Sequence, residues 1–76
     1  MEELLKRIEV DPGKLGGKPV IRGTRIPVSL VVQLVASGMS TEEILKEYPE
    51  LTEEDIKAAL LYAAKLLEKE VVLAIE

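Results

Sequence analysis

Few side chains in this sequence are suited to acid–base or nucleophilic chemistry. The 76 residues include neither Cys nor His, which excludes disulfides, thiolate or imidazole metal ligands, and a Ser–His or Cys–His nucleophile pair. Hydroxyl groups of Ser, Thr and Tyr remain, but they lack a His base, and a lysine would act as a base only if it were buried. We therefore expect no enzymatic activity.

Two ligand-binding motifs are also incomplete. Gly16-Gly17-Lys18 lacks the Gly-x-x-x-x-Gly-Lys-Ser/Thr spacing that cradles phosphate. No Asp-x-Asp-x-Asp-Gly calcium loop occurs among the carboxylates. The sequence predicts no metal, no cofactor and no small-molecule substrate.

Charge is unevenly divided along the chain, whose formal net charge is −4. Residues 1–38 carry six basic and four acidic side chains, whereas residues 39–76 carry four basic and ten acidic ones. Nucleic-acid and acidic-protein partners select a basic surface. The candidate partner-binding or nucleic-acid-binding residues are therefore Lys14, Lys18, Arg22 and Arg25. The alternative is an ordinary solvated surface with local sign variation.

The composition is that of one small folded domain spanning residues 1–76. Apolar residues make up 47% and charged residues 32%, while aromatic residues contribute only 3%. A chain of this size without disulfides or a metal commonly needs a partner for stability, so we expect a homodimer. The sequence contains no Asn and only one Gln, Gln33, and this scarcity of amide side chains fits a thermophilic source. A designed or stabilised sequence would share this bias.

Residues 1–28 are predicted to form a strand, loop and hairpin region. Residues 2–8 suit one or two helical turns, and Arg7–Val10 alternates polar and apolar residues as a short strand does. Residues 18–21 and 24–28 flank a Gly turn, so we expect them to pair as a small β-hairpin.

Residues 29–70 are predicted to form three helices, which gives a mainly α, helix-turn-helix-like fold. The first helix runs over residues 29–37 and ends at Gly38. Ser40 and Glu43 form a capping box for the second, which Pro49 ends. The third runs from Glu53 to about residue 69, with Asp55 at position N3 of its capping box. Its predicted core stripe is Ile56, Leu60, Ala63 or Ala64, and Leu67.

The tail at residues 71–76 is strongly apolar and suits either a last helical turn or a C-terminal strand. It must be covered, because an exposed apolar strand favours aggregation. The candidate dimer-interface residues are Val71, Val72, Leu73 and Ile75. No apolar run reaches the length of a membrane span, and the start Met1-Glu2-Glu3 is unlike a secretory signal. We therefore expect a cytoplasmic location.

The helical spacing permits a helix-turn-helix DNA-binding regulator as an alternative function. A recognition helix presents its first turn to the DNA backbone and base edges. Here that turn holds Glu53, Glu54 and Asp55, which would repel phosphate. Any DNA contact is therefore expected from the basic residues of 14–25.

A long stretch of the sequence resembles the domain of unknown function four-three-three family over about residues 8–64. The most specific part is Gly-Gly-Lys-Pro-Val-Ile-Arg-Gly-Thr-Arg-Ile-Pro-Val at residues 16–28. Further matches are Gly38-Met39-Ser40, Tyr48-Pro49, Leu51-Thr52 and Asp55-Ile56. Family members commonly have Cys where Leu15 stands here, so any role of that thiol is absent.

The resemblance implies a homeodomain-like or winged-helix-like fold and an antitoxin of a type II toxin–antitoxin pair. Such a protein is expected to dimerise, to neutralise a PIN-like ribonuclease toxin, and to have its own promoter DNA as a further candidate partner. The family supplies no catalytic residues. An inhibitor can occupy an acidic nuclease site with arginine, which makes Arg22 and Arg25 the first candidates.

Overall fold

A computed structural model describes residues 2–68, and within them the chain forms four α-helices and one two-stranded sheet. In chain order the elements are α1 (Glu2–Leu5), β1 (Ile8–Val10), β2 (Pro19–Ile21), α2 (Val28–Ala36), α3 (Thr41–Glu47) and α4 (Glu53–Glu68), with a 3₁₀ turn at Leu15–Gly17. The mainly helical fold with an N-terminal β-hairpin is confirmed. The tail at 71–76, including Val71, Val72, Leu73 and Ile75, lies outside the described residues.

The hairpin uses a different partner strand from the one expected. β2 pairs antiparallel with β1, so that Ile8 lies opposite Ile21. The segment 24–28 contributes only an isolated bridge between Val20 and Pro27. Pro27 has no N–H to donate to a ladder, and α2 begins at the next residue. The prediction that 18–21 pairs with 24–28 as a regular hairpin was therefore wrong.

A tight turn nevertheless links β2 to the segment before α2. Gly23 has φ +83°, a left-handed conformation that glycine adopts without a steric cost. The Thr24 amide donates to the Ile21 carbonyl at 3.0 Å, and its hydroxyl donates to the same oxygen at 2.8 Å. The turn directs Ile26 into the core.

The predicted capping box begins α3. The Ser40 hydroxyl accepts from the Glu43 amide at 3.1 Å, and the Glu43 carboxylate accepts from the Ser40 amide at 2.8 Å. Both bonds satisfy amides that have no partner within the helix. Met39, just before the cap, packs against the core cluster that contains the fully buried Ile44. The cap and these apolar residues fix where α3 starts.

The same device begins α4 and adds an ion pair. The Asp55 carboxylate accepts from the Thr52 amide at 3.0 Å, while the Thr52 hydroxyl accepts from the Asp55 amide at 3.2 Å. The other Asp55 oxygen accepts from Arg7 Nη1 at 3.1 Å. Asp55 is only 7% exposed. One buried carboxylate therefore caps α4 and ties it to the turn between α1 and β1.

The core lies on one side of α4, where the sheet, α2 and α3 pack against it. Among the helices, α4 contacts α1, α2 and α3. Its buried residues are aliphatic: Ile8, Ile21, Ile26, Val28, Val31, Ile44, Leu51, Ile56, Ala58 and Ala59. The predicted core stripe of α4 was wrong at Leu60 and Leu67, which are 38% and 62% exposed. Fully buried Ala58 and Ala59 face the core instead. Alanine at these positions allows neighbouring backbones to approach closely, so the buried face is rotated away from the leucines.

The first prediction concerns the Asp55 cap. Asp55→Ala removes the carboxylate that binds the Thr52 amide and Arg7 but leaves the Thr52 hydroxyl cap in place, so we expect the free energy of unfolding to fall by about 2 kcal/mol. Glu54→Ala, at the exposed neighbouring position, is the control and should cost less than about 1 kcal/mol. Urea unfolding at one protein concentration, followed by circular dichroism, measures both. Equal losses in the two variants would contradict the assigned role of Asp55.

Candidate functional site

An open apolar groove of about 580 Å³ lies between α2 and the C-terminal half of α4. Its lining residues are Lys18, Pro19, Val28, Ser29, Val32, Gln33, Tyr62, Ala63, Leu66 and Leu67. Lys18 is the single charged residue among them. The groove is therefore an apolar surface with one cation at its edge.

The groove exists because the apolar face of α4 continues past the enclosed core. Asp55, Ala59, Tyr62 and Leu66 follow one another at the four- and three-residue spacing that places them on one helix face. Asp55 and Ala59 are buried, Tyr62 is partly buried, and Leu66 is 50% exposed. This face of α4 therefore lies in the core at its N-terminal end and lines the groove at its C-terminal end. The α2 side is formed by Val28 and Val32, one helical turn apart.

The groove has the chemistry of a helix-binding surface. Its floor is aliphatic and aromatic, and Ser29 and Gln33 add hydrogen-bonding groups from α2. An amphipathic segment that places apolar side chains on such a floor gains binding free energy from their burial. A carboxylate on that segment could pair with Lys18 at the edge. The arrangement therefore suits an apolar protein segment carrying an acidic residue.

A second depression, of about 390 Å³, lies at the base of α1 and is polar. It is lined by Glu3, Lys6, Arg7, Arg22 and Asp55. The Arg22 guanidinium donates from Nε to the Lys6 carbonyl at 2.7 Å and from Nη2 to the Ile8 carbonyl at 3.4 Å. The Arg22 amide also donates to the Arg7 carbonyl at 2.7 Å. Arg22 therefore holds the α1–β1 turn against the end of β2.

The four basic residues singled out in the sequence have different environments. Lys14 forms an ion pair with Glu9 at 3.1 Å, and Arg22 makes the backbone bonds just described. Lys18 is exposed at the groove and Arg25 is exposed in the segment before α2. Lys18 lines the apolar groove and Arg22 lines the polar depression, so the structure does not bring these two residues into one cavity. Lys18 and Arg25 are thus the two of the four whose side chains form no hydrogen bond or ion pair within residues 2–68.

Sequence reasoning indicated Tyr62 as a core or interface residue, because it is one of only two aromatics, but it missed the other apolar residues that form the groove, above all Val32 and Leu66. A signal was present in the sequence, because Leu66 continues the spacing of Ala59 and Tyr62. The predicted stripe of Ile56, Leu60, Ala63 or Ala64, and Leu67 left out the two alanines that are buried, Ala58 and Ala59. Leucine size alone does not indicate which helix face is buried, because small residues occupy the closest helix contacts.

These features define a small, mainly helical domain with an N-terminal hairpin and an apolar groove, built without Cys or His. The family model described as "Protein of unknown function (DUF433)" matches residues 8–63. The chain belongs to this family, which confirms the resemblance read from its sequence motifs.

Two known proteins support the assignment. The crystal structure of a DUF433 member protein from Anabaena variabilis ATCC 29413 matches 99% of this chain and 74% of its own, with 36% identity and a TM-score of 0.77. The uncharacterized protein y4eO of Sinorhizobium fredii is 50% identical over 52 residues, which are 68% of this chain. The chain spans about a quarter of the length of that relative, as the matched region is 24% of it.

The second prediction separates a structural arginine from an exposed one. Arg22→Ala removes the guanidinium bonds to two carbonyls, so we expect the free energy of unfolding to fall by about 1 kcal/mol. Arg25→Ala should change it by less than about 0.5 kcal/mol, as for other exposed positions. Thermal unfolding of both variants at one protein concentration measures the difference. A larger loss for Arg25→Ala than for Arg22→Ala would contradict this assignment.

Proposed function

We propose that this chain is the antitoxin of a type II toxin–antitoxin pair, a non-catalytic cytoplasmic homodimer that binds and neutralises a PIN-like ribonuclease. The resemblance to the family supplies the class of partner. The apolar groove between α2 and α4 is the observation that carries the proposal, because it provides a surface for a protein segment. A nuclease held there would be inhibited by occupation of its surface, with no chemistry required of this chain.

The positions of the exposed cations support a nuclease as the partner. A PIN-like nuclease has an acidic, metal-binding active site, which attracts arginine and lysine. Lys18 lies at the edge of the groove, and Arg25 is exposed beyond the turn that precedes α2. In the proposed complex an apolar segment of the nuclease lies in the groove, Lys18 pairs with a carboxylate beside that segment, and Arg25 reaches toward the acidic site.

The electrostatics of α4 favour a protein partner over DNA. Glu53 and Glu54 are exposed in its first turn, and the buried Asp55 is engaged with Thr52 and Arg7. Docking this turn into a major groove would bring two carboxylates near phosphate, which opposes binding. The proposal therefore gives α4 no recognition-helix role.

The third prediction is inhibition of a neighbouring nuclease. A PIN-like nuclease encoded beside this chain's gene should form a stable complex with it and lose its RNA-cleaving activity as the chain is added up to a stoichiometric amount. Native mass spectrometry gives the composition, and cleavage of a fluorescent RNA gives the inhibition. A gene without such a neighbour, or a nuclease that stays fully active, would contradict the proposal.

The fourth prediction places the nuclease in the groove. Leu66→Glu puts a charge on the apolar floor and should weaken binding at least about tenfold, since burying an unpaired carboxylate costs more than about 1.4 kcal/mol. Lys18→Glu reverses the charge at the edge and should mainly slow association, with an effect that fades at high salt. Surface plasmon resonance measures both rate constants.

The control for the groove is a leucine that is exposed elsewhere. Leu15 is 41% exposed, close to the 50% of Leu66, and it does not line the groove. Leu15→Glu should therefore leave nuclease affinity unchanged. Equal weakening by Leu15→Glu and Leu66→Glu would place the nuclease elsewhere. Salt-dependent binding of the chain alone to its promoter, lost in Lys18→Glu but with no nuclease inhibition, would favour the DNA-binding alternative.

A further inference from the structure

Three basic side chains share the polar depression of about 390 Å³ at the base of α1. Its lining holds three bases against two acids, a net charge of +1: Lys6, Arg7 and Arg22 with Glu3 and Asp55. The Asp55 carboxylate is buried and already bound to Arg7. The depression is therefore positive, in a chain whose formal net charge is −4.

The pairing of β1 with β2 sets two arginines opposite each other. The register that places Ile8 opposite Ile21 continues by one step, because the Arg22 amide donates to the Arg7 carbonyl at 2.7 Å. Side chains at opposed positions of neighbouring strands lie close together, and like charges there repel. Asp55 pairs with Arg7, whereas no carboxylate among residues 2–68 forms an ion pair with Arg22. A further anion between the two arginines would reduce this repulsion.

Bonds to the protein hold both guanidinium groups in place without using all of their donors. Arg22 donates from Nε to the Lys6 carbonyl at 2.7 Å and from Nη2 to the Ile8 carbonyl at 3.4 Å. Arg7 donates from Nη1, to Asp55 at 3.1 Å. Each guanidinium has five N–H donors. Within residues 2–68, Nη1 of Arg22 and both Nε and Nη2 of Arg7 therefore keep donors for a ligand.

We infer that Lys6, Arg7 and Arg22 form an anion site, and that its ligand is a small molecule with a terminal phosphate group. Guanidinium groups match the geometry of phosphate oxygens through paired N–H donors. Here the fold already orders both arginines, so a ligand does not meet the full entropic cost of fixing them. Lys6 is exposed and adds a mobile ammonium group.

Charge favours a terminal phosphate over a phosphate inside a nucleic-acid chain. A terminal phosphate carries a charge of about −1.5 to −2 at pH 7, whereas each backbone phosphate carries one negative charge. Glu3 at the site repels any anion, so the more highly charged group has more attraction to set against it. The lining includes no aromatic ring on which a base would stack. The site therefore recognises the phosphate and not the group attached to it.

Nuclear magnetic resonance of the unmodified chain tests the site directly, because arginine Nε–H groups give their own signals. At constant ionic strength, inorganic phosphate should shift the Nε–H signals of Arg7 and Arg22 saturably, with a dissociation constant below about 10 mM. Adenosine monophosphate should bind about equally well, and dimethyl phosphate, a diester, several-fold more weakly. Shifts that do not saturate would overturn the site. Equal binding of the diester would overturn the terminal phosphate as its ligand.

Two exposed side chains of the depression give opposite expected effects. Lys6→Ala should weaken phosphate binding about threefold, and Glu3→Gln should strengthen it by a similar factor of about three, as for exposed charge pairs. Lys46→Ala and Glu2→Gln are the matched controls, because both residues are exposed and lie outside the lining. At about 0.15 M salt they should change the affinity little.

Controls that match their partners in effect would mean that only net charge matters, and would overturn the site. The anion site and the apolar groove share no lining residue. Loss of phosphate binding would therefore leave the proposed nuclease binding standing, and the failure of one is distinguishable from the failure of the other.

Discussion

The buried carboxylate of Asp55 joins the two halves of this chain. It caps α4 through the Thr52 amide and binds Arg7 in the turn between α1 and β1. The carbonyl of Arg7 in turn accepts from the Arg22 amide, and the Arg22 guanidinium binds the Lys6 carbonyl. This polar network fixes α4 against the hairpin. The position of α4 then determines which of its faces lies in the core and which lines the groove.

The same network limits which basic residues can serve a partner. Arg22 has a turn-flanking position that suggests a surface role, yet its side chain supports the backbone of the first turn. Lys14 is paired with Glu9. The positive charge of the N-terminal half is therefore used partly for folding, and of the four candidates Lys18 and Arg25 are the ones that the proposed complex uses. The surface proposed for recognition is consequently the apolar groove with one cation at its edge, and not the basic hairpin.

Local signals in the sequence predicted most of the fold. The Ser40–Glu43 and Thr52–Asp55 caps, and the end of the helix before Gly38, depend on neighbouring residues, so they were readable without tertiary information. The pairing of β2 with β1 could not be predicted from neighbouring residues, because it depends on contacts across an intervening loop. The buried face of α4 was also misjudged. Ala58 and Ala59 face the core through close helix packing, which single-residue hydrophobicity does not report.

In the proposed complex, a protein partner binds on the groove face of α2 and α4. Hydrogen–deuterium exchange of the chain, alone and in complex with the proposed nuclease, tests this placement. We expect slower exchange in peptides that cover residues 28–36 and 62–68, with little change at the start of α4 over residues 53–57. Protection at residues 53–57 and none along the groove would contradict it.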